Sequence, residues 1–351
     1  LEQSSSCRLS FSSDYLEGAH PAIIERLVQT NLMQTPGYGS DAFCEAAREK
    51  IRAACACPDA AVYFLVGGTQ ANATAIDALL ASYQGVIAPE SGHINVHEAG
   101  TIEFGGHKVL ALPQKAGKIR AEDIEVRAAD FEADENREHM VAPAMVYLSQ
   151  PTECGTLYSL AELRAINAVC RAHGLLLYVD GARLAYALAC PENDVTLADL
   201  AALTDVFYIG GTKCGALFGE AVVVPQPGLI PHFLTIMKQH GALLAKGRLL
   251  GLQFDTLFAD ELYLHIGESA IMLADRIRKI LREQGYQLFL ESPTNQVLVV
   301  LENNRMHELA EQVEFSYWEK FDADHTVVRF ATSWATRSED VDALEALLSR
   351  R

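Results

Sequence analysis

No run of apolar residues in this 351-residue chain reaches membrane-span length before a charge or a glycine interrupts it, so no spanning helix is expected. Positive charge is scarce. Lys and Arg total 28 against 46 Asp and Glu, a formal charge of -18, which argues against nucleic acid or an anionic membrane as the main partner. The opening LEQSSSCRLSFSSDYLEG lacks the apolar segment of a signal peptide, so none is expected. The eight cysteines, at 7, 44, 55, 57, 154, 170, 190 and 214, form no CxxC pair and no disulfide-like spacing. They are expected as reduced thiols, which places the chain in the cytoplasm. Internal repeats and low-complexity linkers are also missing.

What is present is half hydrophobic and regularly patterned. AVYFLV (61–66), GVIA (85–88), KVLAL (108–112), AMVYLS (144–149), LLLYVD (175–180), DVFYIG (205–210) and EAVVV (220–224) are short apolar runs separated by helical stretches such as SLAELRAINAVCRAHG. Strands buried on both faces and alternating with helices predict an α/β domain with a mostly parallel sheet. From about residue 226 the pattern becomes helical, and it then alternates through NQVLVVL, a helix near 306–313, TVVRFATSW and a final helix from Ser338. Residues 1–250 are therefore expected as a large α/β domain with an N-terminal arm, and 251–351 as a small α+β domain.

In a parallel sheet the ligand lies beyond the carboxyl ends of the strands. Three polar clusters fall there: GGTQAN (67–72), YVDGAR (178–183) and GGTK (210–213). The first opens a helix with glycines and a threonine, which suits a phosphate, though an ordinary helix start has the same composition. The second sets an acid and a base three residues apart. The third places one amine, Lys213, in a run otherwise small and apolar, where an ammonium is costly unless it is paired or loses its charge. Pyridoxal 5'-phosphate needs an anion site, a carboxylate that keeps its ring nitrogen protonated, and a lysine amine to bond its aldehyde.

The set SSDYLEGAHP, GGTQANATAI, SGHINVHEAGTIE, YVDGARLA and GGTKCGA resembles the threonine aldolase branch of the β-eliminating lyase family, with the motifs in family order over nearly the whole chain. The resemblance implies the aspartate aminotransferase type of fold (fold type I), pyridoxal phosphate as cofactor, and retro-aldol cleavage of L-threonine, L-allo-threonine or other β-hydroxy-α-amino acids to glycine and an aldehyde. It implies that Lys213 bonds the cofactor and Asp180 faces its ring nitrogen. Gly68 and Thr69 would cradle the phosphate with Gln70 and Asn72 nearby, Thr212 would be the adjacent hydroxyl, and His93 would stack on the ring. Arg183, Arg329 and Ser13 would hold the substrate carboxylate. A homodimer or homotetramer with shared sites is implied, in which Tyr38, Lys246 and Arg248 reach the neighbour's cofactor. The chain departs from the family in having GGTK where many relatives have SxSK. Thr152, Glu153 and Cys154 stand near where one type of relative carries a histidine.

The acceptor of the β-hydroxyl proton stays open among His93, His97 and water, with Glu98 as a candidate to order His97 or that water. A metal site built on His93, His97 and Glu98 is the rival from another class, but HINVHE lacks the HExxH order and leaves Lys213 and Asp180 unexplained. β-Elimination on the same cofactor, and a silent binding protein with the same fold, complete the alternatives. Tyr15, Trp318 and Trp334 are expected in the core or an interface.

Overall fold

The computed structural model describes residues 8–349; Cys7 lies outside them. Thirteen strands occur among them: β1 (Leu9–Ser10), β2 (Ala61–Leu65), β3 (Gln84–Pro89), β4 (Lys108–Leu112), β5 (Ala142–Ser149), β6 (Leu176–Asp180), β7 (Val206–Gly210), β8 (Glu220–Val224), β9 (Gln287–Leu288), β10 (Gln296–Glu302), β11 (Val313–Glu314), β12 (Ser316–Lys320) and β13 (His325–Ala331). The large sheet has the order β2-β8-β7-β6-β5-β3-β4. Only β8 runs against its neighbours, pairing antiparallel with both β2 and β7, while β7-β6, β6-β5, β5-β3 and β3-β4 are all parallel. The seven apolar runs read from the sequence are these seven strands.

Both faces of this sheet are covered, which is why its strands are continuously apolar. One face packs against the Gly68–Leu79 helix around Leu65, Tyr147, Tyr178 and Tyr208. The other packs against the Ala42–Ala54, Leu160–Ala172 and Arg248–Leu257 helices around Ile51, Phe207 and Phe254. The C-terminal region forms an antiparallel sheet, β12-β13-β10-β9, with its own core from Leu273 onward that also takes in Phe11 of the N-terminal arm.

The helical stretch anticipated from about residue 226 is a helix at Phe233–Gln239 followed by three more, Arg248–Leu257, Leu262–His265 and Glu268–Glu283. Of these last three, Arg248–Leu257 is the first. Asp260 and Glu261 take positive φ between the first two, and Gly267 opens the third. Residue 250 lies inside the first of these helices, and Phe254, Leu257, Tyr263 and Ile271 pack into the core of the large sheet.

Two helices approach closely at Gly251. A Cβ there would stand 2.5 Å from Cys44 Cα and 2.4 Å from its Sγ. Gly251→Ala is expected to destabilise the fold by about 1–3 kcal/mol through overpacking, read as a lower urea midpoint with unchanged slope.

Candidate active site

The aligned ends of five co-directional strands, with the start of β8, build the site. β2 runs into the turn that begins the Gly68–Leu79 helix, β3 leads to His93, β5 to Glu153, β6 ends on Asp180, and β7 leads to Thr212 and Lys213. These residues line one cavity of about 330 Å³ together with Tyr15, Ser149, Arg183, Tyr208 and Glu220. A wider cleft of about 900 Å³ adjoins it, sharing Tyr15, His93, Glu153, Arg183 and Lys213, and adding His97, Trp318 and Arg329. Tyr15 is thus a cavity wall, 54% exposed, rather than a core residue, and Trp318 belongs to the cleft.

Asp180 is the centre of the hydrogen bonding. Oδ2 accepts from Tyr147 OH at 2.6 Å and Asn72 Nδ2 at 3.0 Å, and Oδ1 accepts from Tyr208 OH and the Ala182 N–H. Burial pushes this carboxyl up, but the nearby His93 and the three side-chain donors outweigh it, so Asp180 lies below the usual carboxylate range. Asn72 also donates to Glu98 at 2.7 Å and accepts from Tyr178 OH at 3.0 Å. It therefore supports Asp180. Gln70 turns back to accept the Val66 N–H.

Lys213 Nζ makes no hydrogen bond or ion pair among the described residues and sits 5.9 Å from the Tyr15 ring centroid. Burial, then the charge of Arg183, lower its pKa, against the pull of Asp14, Asp180 and Glu220. Its carbonyl is held by Tyr186 OH at 2.7 Å. The result is a held backbone carrying an unengaged amine.

His93 Nδ1 meets Glu98 at 2.7 Å, and its backbone N–H donates to Glu153 at 3.0 Å. Glu98 thus orients His93, not His97. Glu153 also accepts from Ser149 Oγ at 2.6 Å, and burial raises its pKa. His97 lies on the wider cleft alone, with its pKa lowered by burial and then by His93, Arg329, Lys213 and Arg183.

Arg183 binds Asp14 through two nitrogens, at 2.6 and 3.0 Å. Arg329 donates to Gln296 Oε1, the Ser12 carbonyl and Ser316 Oγ, and no carboxylate reaches it within salt-bridge distance among the described residues. Burial and Arg183 push it down to about 10. Ser13 Oγ is buried beside them without a partner. Tyr38, Lys246 and Arg248 line neither cavity: Tyr38 stacks on Lys238, and Arg248 holds the carbonyls of Thr30 and Met33. Among the described residues no three His, Cys, Asp or Glu side chains converge as metal ligands would.

The residues fit pyridoxal phosphate. The Gly68–Leu79 helix has no side-chain cap, leaving backbone donors open to an anion. A Cβ on Gly68 would stand 2.9 Å from the Tyr208 hydroxyl that holds Asp180. The amine and the ionised carboxylate share the same cavity.

The sequence profile of the beta-eliminating lyase family matches residues 10–315. A low specificity L-threonine aldolase from Pseudomonas aeruginosa is 32% identical over 83% of this chain and 84% of its own length. One from a Pseudomonas species is 30% identical over 96% of both. The structure of a Leishmania major threonine aldolase superposes with a TM-score of 0.94 at 42% identity, covering 97% of this chain and 98% of that one. A Thermus thermophilus aspartate aminotransferase, 15% identical with a TM-score of 0.72 over 98% of this chain and 91% of its own, shares the fold.

Asp14 has its pKa lowered to about 2: burial raises it, but Arg183, Lys213 and Asn295 prevail. A depressed folded-state pKa stabilises above the unfolded value of 3.8 and is lost as pH falls from there toward 2. We expect urea midpoints to fall across that window by on the order of 2 kcal/mol in stability, and Asp14→Asn to lose this part of the acid dependence.

Proposed function

The chain belongs to the beta-eliminating lyase family, and on that premise we propose that it is a threonine aldolase, cleaving L-threonine or L-allo-threonine between Cα and Cβ to glycine and acetaldehyde. The cofactor of the family and fold is pyridoxal phosphate. One observation carries the reading: an unengaged lysine amine, an ionised carboxylate and an uncapped helix start line one cavity, which opens onto two half-buried arginines, Arg183 and Arg329.

Gly68, Thr69 and Thr212 would hold the cofactor's phosphate, Asp180 would face its ring nitrogen, His93 would cover its ring and Lys213 would bond its aldehyde. When bound, the cofactor accepts the electron pair released as a bond at the substrate α-carbon breaks. Asp180, kept ionised by its donors, sustains that withdrawal. Arg183 and Arg329 bind the substrate carboxylate with Ser13 beside them, and that placement selects the Cα–Cβ bond. Arg329 has no carboxylate partner among the described residues, so a substrate carboxylate would relieve its repulsion with Arg183.

We assign the β-hydroxyl proton to His97. Its lowered pKa keeps the imidazole neutral near neutral pH, able to accept the proton as acetaldehyde leaves. The α-carbon then regains a proton and glycine departs. Glu98 fixes His93 in orientation, and Glu153 holds the backbone of the His93 turn.

The subunits pair so that Tyr38, Lys246 and Arg248 of one complete the site of the other, as a homodimer or a tetramer of such dimers. Their placement away from their own cavity supports this. The seven cysteines among the described residues are free, which suits the reducing cytoplasm.

NMR of the products from L-threonine and from L-allo-threonine tests the reaction. Glycine with acetaldehyde is expected; 2-oxobutanoate would replace the aldolase with an eliminating lyase. Lys213→Ala should abolish turnover, and mixing it with Tyr38→Ala should restore activity if sites are shared. Arg329→Ala should raise KM roughly tenfold to a hundredfold, the cost of one charge-assisted bond of about 1.5–3 kcal/mol. For wild type, kcat/KM should fall with acid as His97 gains its proton below pH 6.5. His97→Asn should lower kcat about 10²–10⁴-fold and lose that limb.

A further inference from the structure

Glu220 is an acid of the cavity to which the proposed reaction gives no task. It opens β8, the one reversed strand, and pairs in register with Gly210 of β7 and Leu65 of β2. It therefore sits between the turn into the Gly68 helix and the loop of Thr212 and Lys213, the two segments assigned above to the phosphate. Its side chain is buried, with Oε1 accepting from Thr212 Oγ1 at 2.8 Å and Oε2 from the Gly211 N–H at 3.1 Å.

The proton count at Thr212 is decisive. Its hydroxyl has one proton, spent on Glu220, and its oxygen accepts the Gly219 N–H at 3.0 Å. To donate to a phosphate, the hydroxyl must turn away from Glu220. Two oxygens 2.8 Å apart, neither carrying a proton toward the other, would then face each other in a buried site. A proton on Glu220 removes the conflict, because the acid then donates to Thr212 and Thr212 donates onward.

We propose that Glu220 is a neutral acid whenever the cofactor's phosphate is bound, and that the proton it holds lets Thr212 serve as a phosphate donor. The inference rests on the cofactor reading above. Charge favours it too: a carboxylate and a phosphate dianion in one low-dielectric cavity repel strongly. The groups facing Glu220 are Lys213 and Cys214 from the β7 loop, Tyr208 on β7, Tyr178 and Asp180 on β6, and Tyr263. The turn from Leu65 to Asn72 carries no ionisable side chain. Burial already pushes Glu220 up to about 8, against Thr212, Lys213 and the Gly211 N–H.

The probe is 4'-deoxypyridoxine 5'-phosphate, which has no aldehyde and so cannot bond Lys213. Calorimetry in buffers of different ionisation heat counts the protons taken up on binding to the wild-type protein. Uptake should rise toward one proton as pH passes about 8, and Kd should weaken about tenfold per further pH unit. An infrared difference band of a protonated carboxylic acid should grow in with the probe above that pH, which a titrating lysine cannot produce. Glu220→Gln, neutral throughout, should bind with no such uptake and more tightly than wild type at alkaline pH. Binding without the infrared band, or a variant that keeps the wild-type uptake, would overturn this inference alone. Absence of binding at every pH would overturn the cofactor reading with it.

Discussion

Burial of the Asp180 carboxylate at the end of β6 is the constraint around which the large sheet is organised. An isolated buried carboxylate would take a proton. Here, tyrosines from the strands on either side, Tyr147 on β5 and Tyr208 on β7, reach it with their hydroxyls, while Asn72 comes from the Gly68–Leu79 helix above. Tyr178, two residues before Asp180, holds Asn72 by its other end. Three strands and one helix are locked in register by a single charge, and that charge faces the cavity. The same bonds that stabilise the sheet thus hold Asp180 below the usual carboxylate range.

The second region enters through electrostatics of the opposite sign. Arg183 follows β6 and Arg329 lies on β13, so two cations from different sheets share one cleft. Among the described residues only Asp14, on the N-terminal arm, forms an ion pair with either of them; it binds Arg183 and also accepts from Asn295, just before β10. The arm that carries Asp14 pairs β1 with β11 of the C-terminal region. On the proposed function, a bound amino-acid carboxylate would add a second negative charge to this arrangement, and substrate binding would then reinforce the seating of the two sheets.

Much of this was legible in the chain. Apolar runs bounded by glycine and polar residues gave the seven large-sheet strands because both faces are covered. The clusters at 67–72, 178–183 and 210–213 fall at strand ends because that is where a parallel sheet leaves backbone open. The reversal of β8 was not legible, since direction leaves no mark on a continuous apolar run. Nor was the break of the long helical stretch, where Asp260 and Glu261 adopt a left-handed conformation without glycine. Tyr147 and Tyr208 went unread as partners of Asp180, although AMVYLS, LLLYVD and DVFYIG each place a tyrosine two residues before the strand end. Their period-two relation to the strand end put those hydroxyls on the same face as the carboxylate. Glu153 was noticed only as a departure from a histidine; its grip on the His93 backbone depends on tertiary contact alone.

Unpaired buried groups show where the fold keeps its unmet demand. Ser91 Oγ, Glu153 Oε2 and Arg329 Nε are buried without partners, and all three residues line the wider cleft. Glu98 Oε2 and Ser13 Oγ, also unpartnered, belong to residues beside His93 and the arginines. Each such group costs about 1–3 kcal/mol when left unsatisfied. Among the described residues, five of the eight such atoms thus lie at or beside one cleft, where a ligand with its own polar groups could partner them; Asp41 Oδ2, Thr74 Oγ1 and Asn295 Oδ1 are the others.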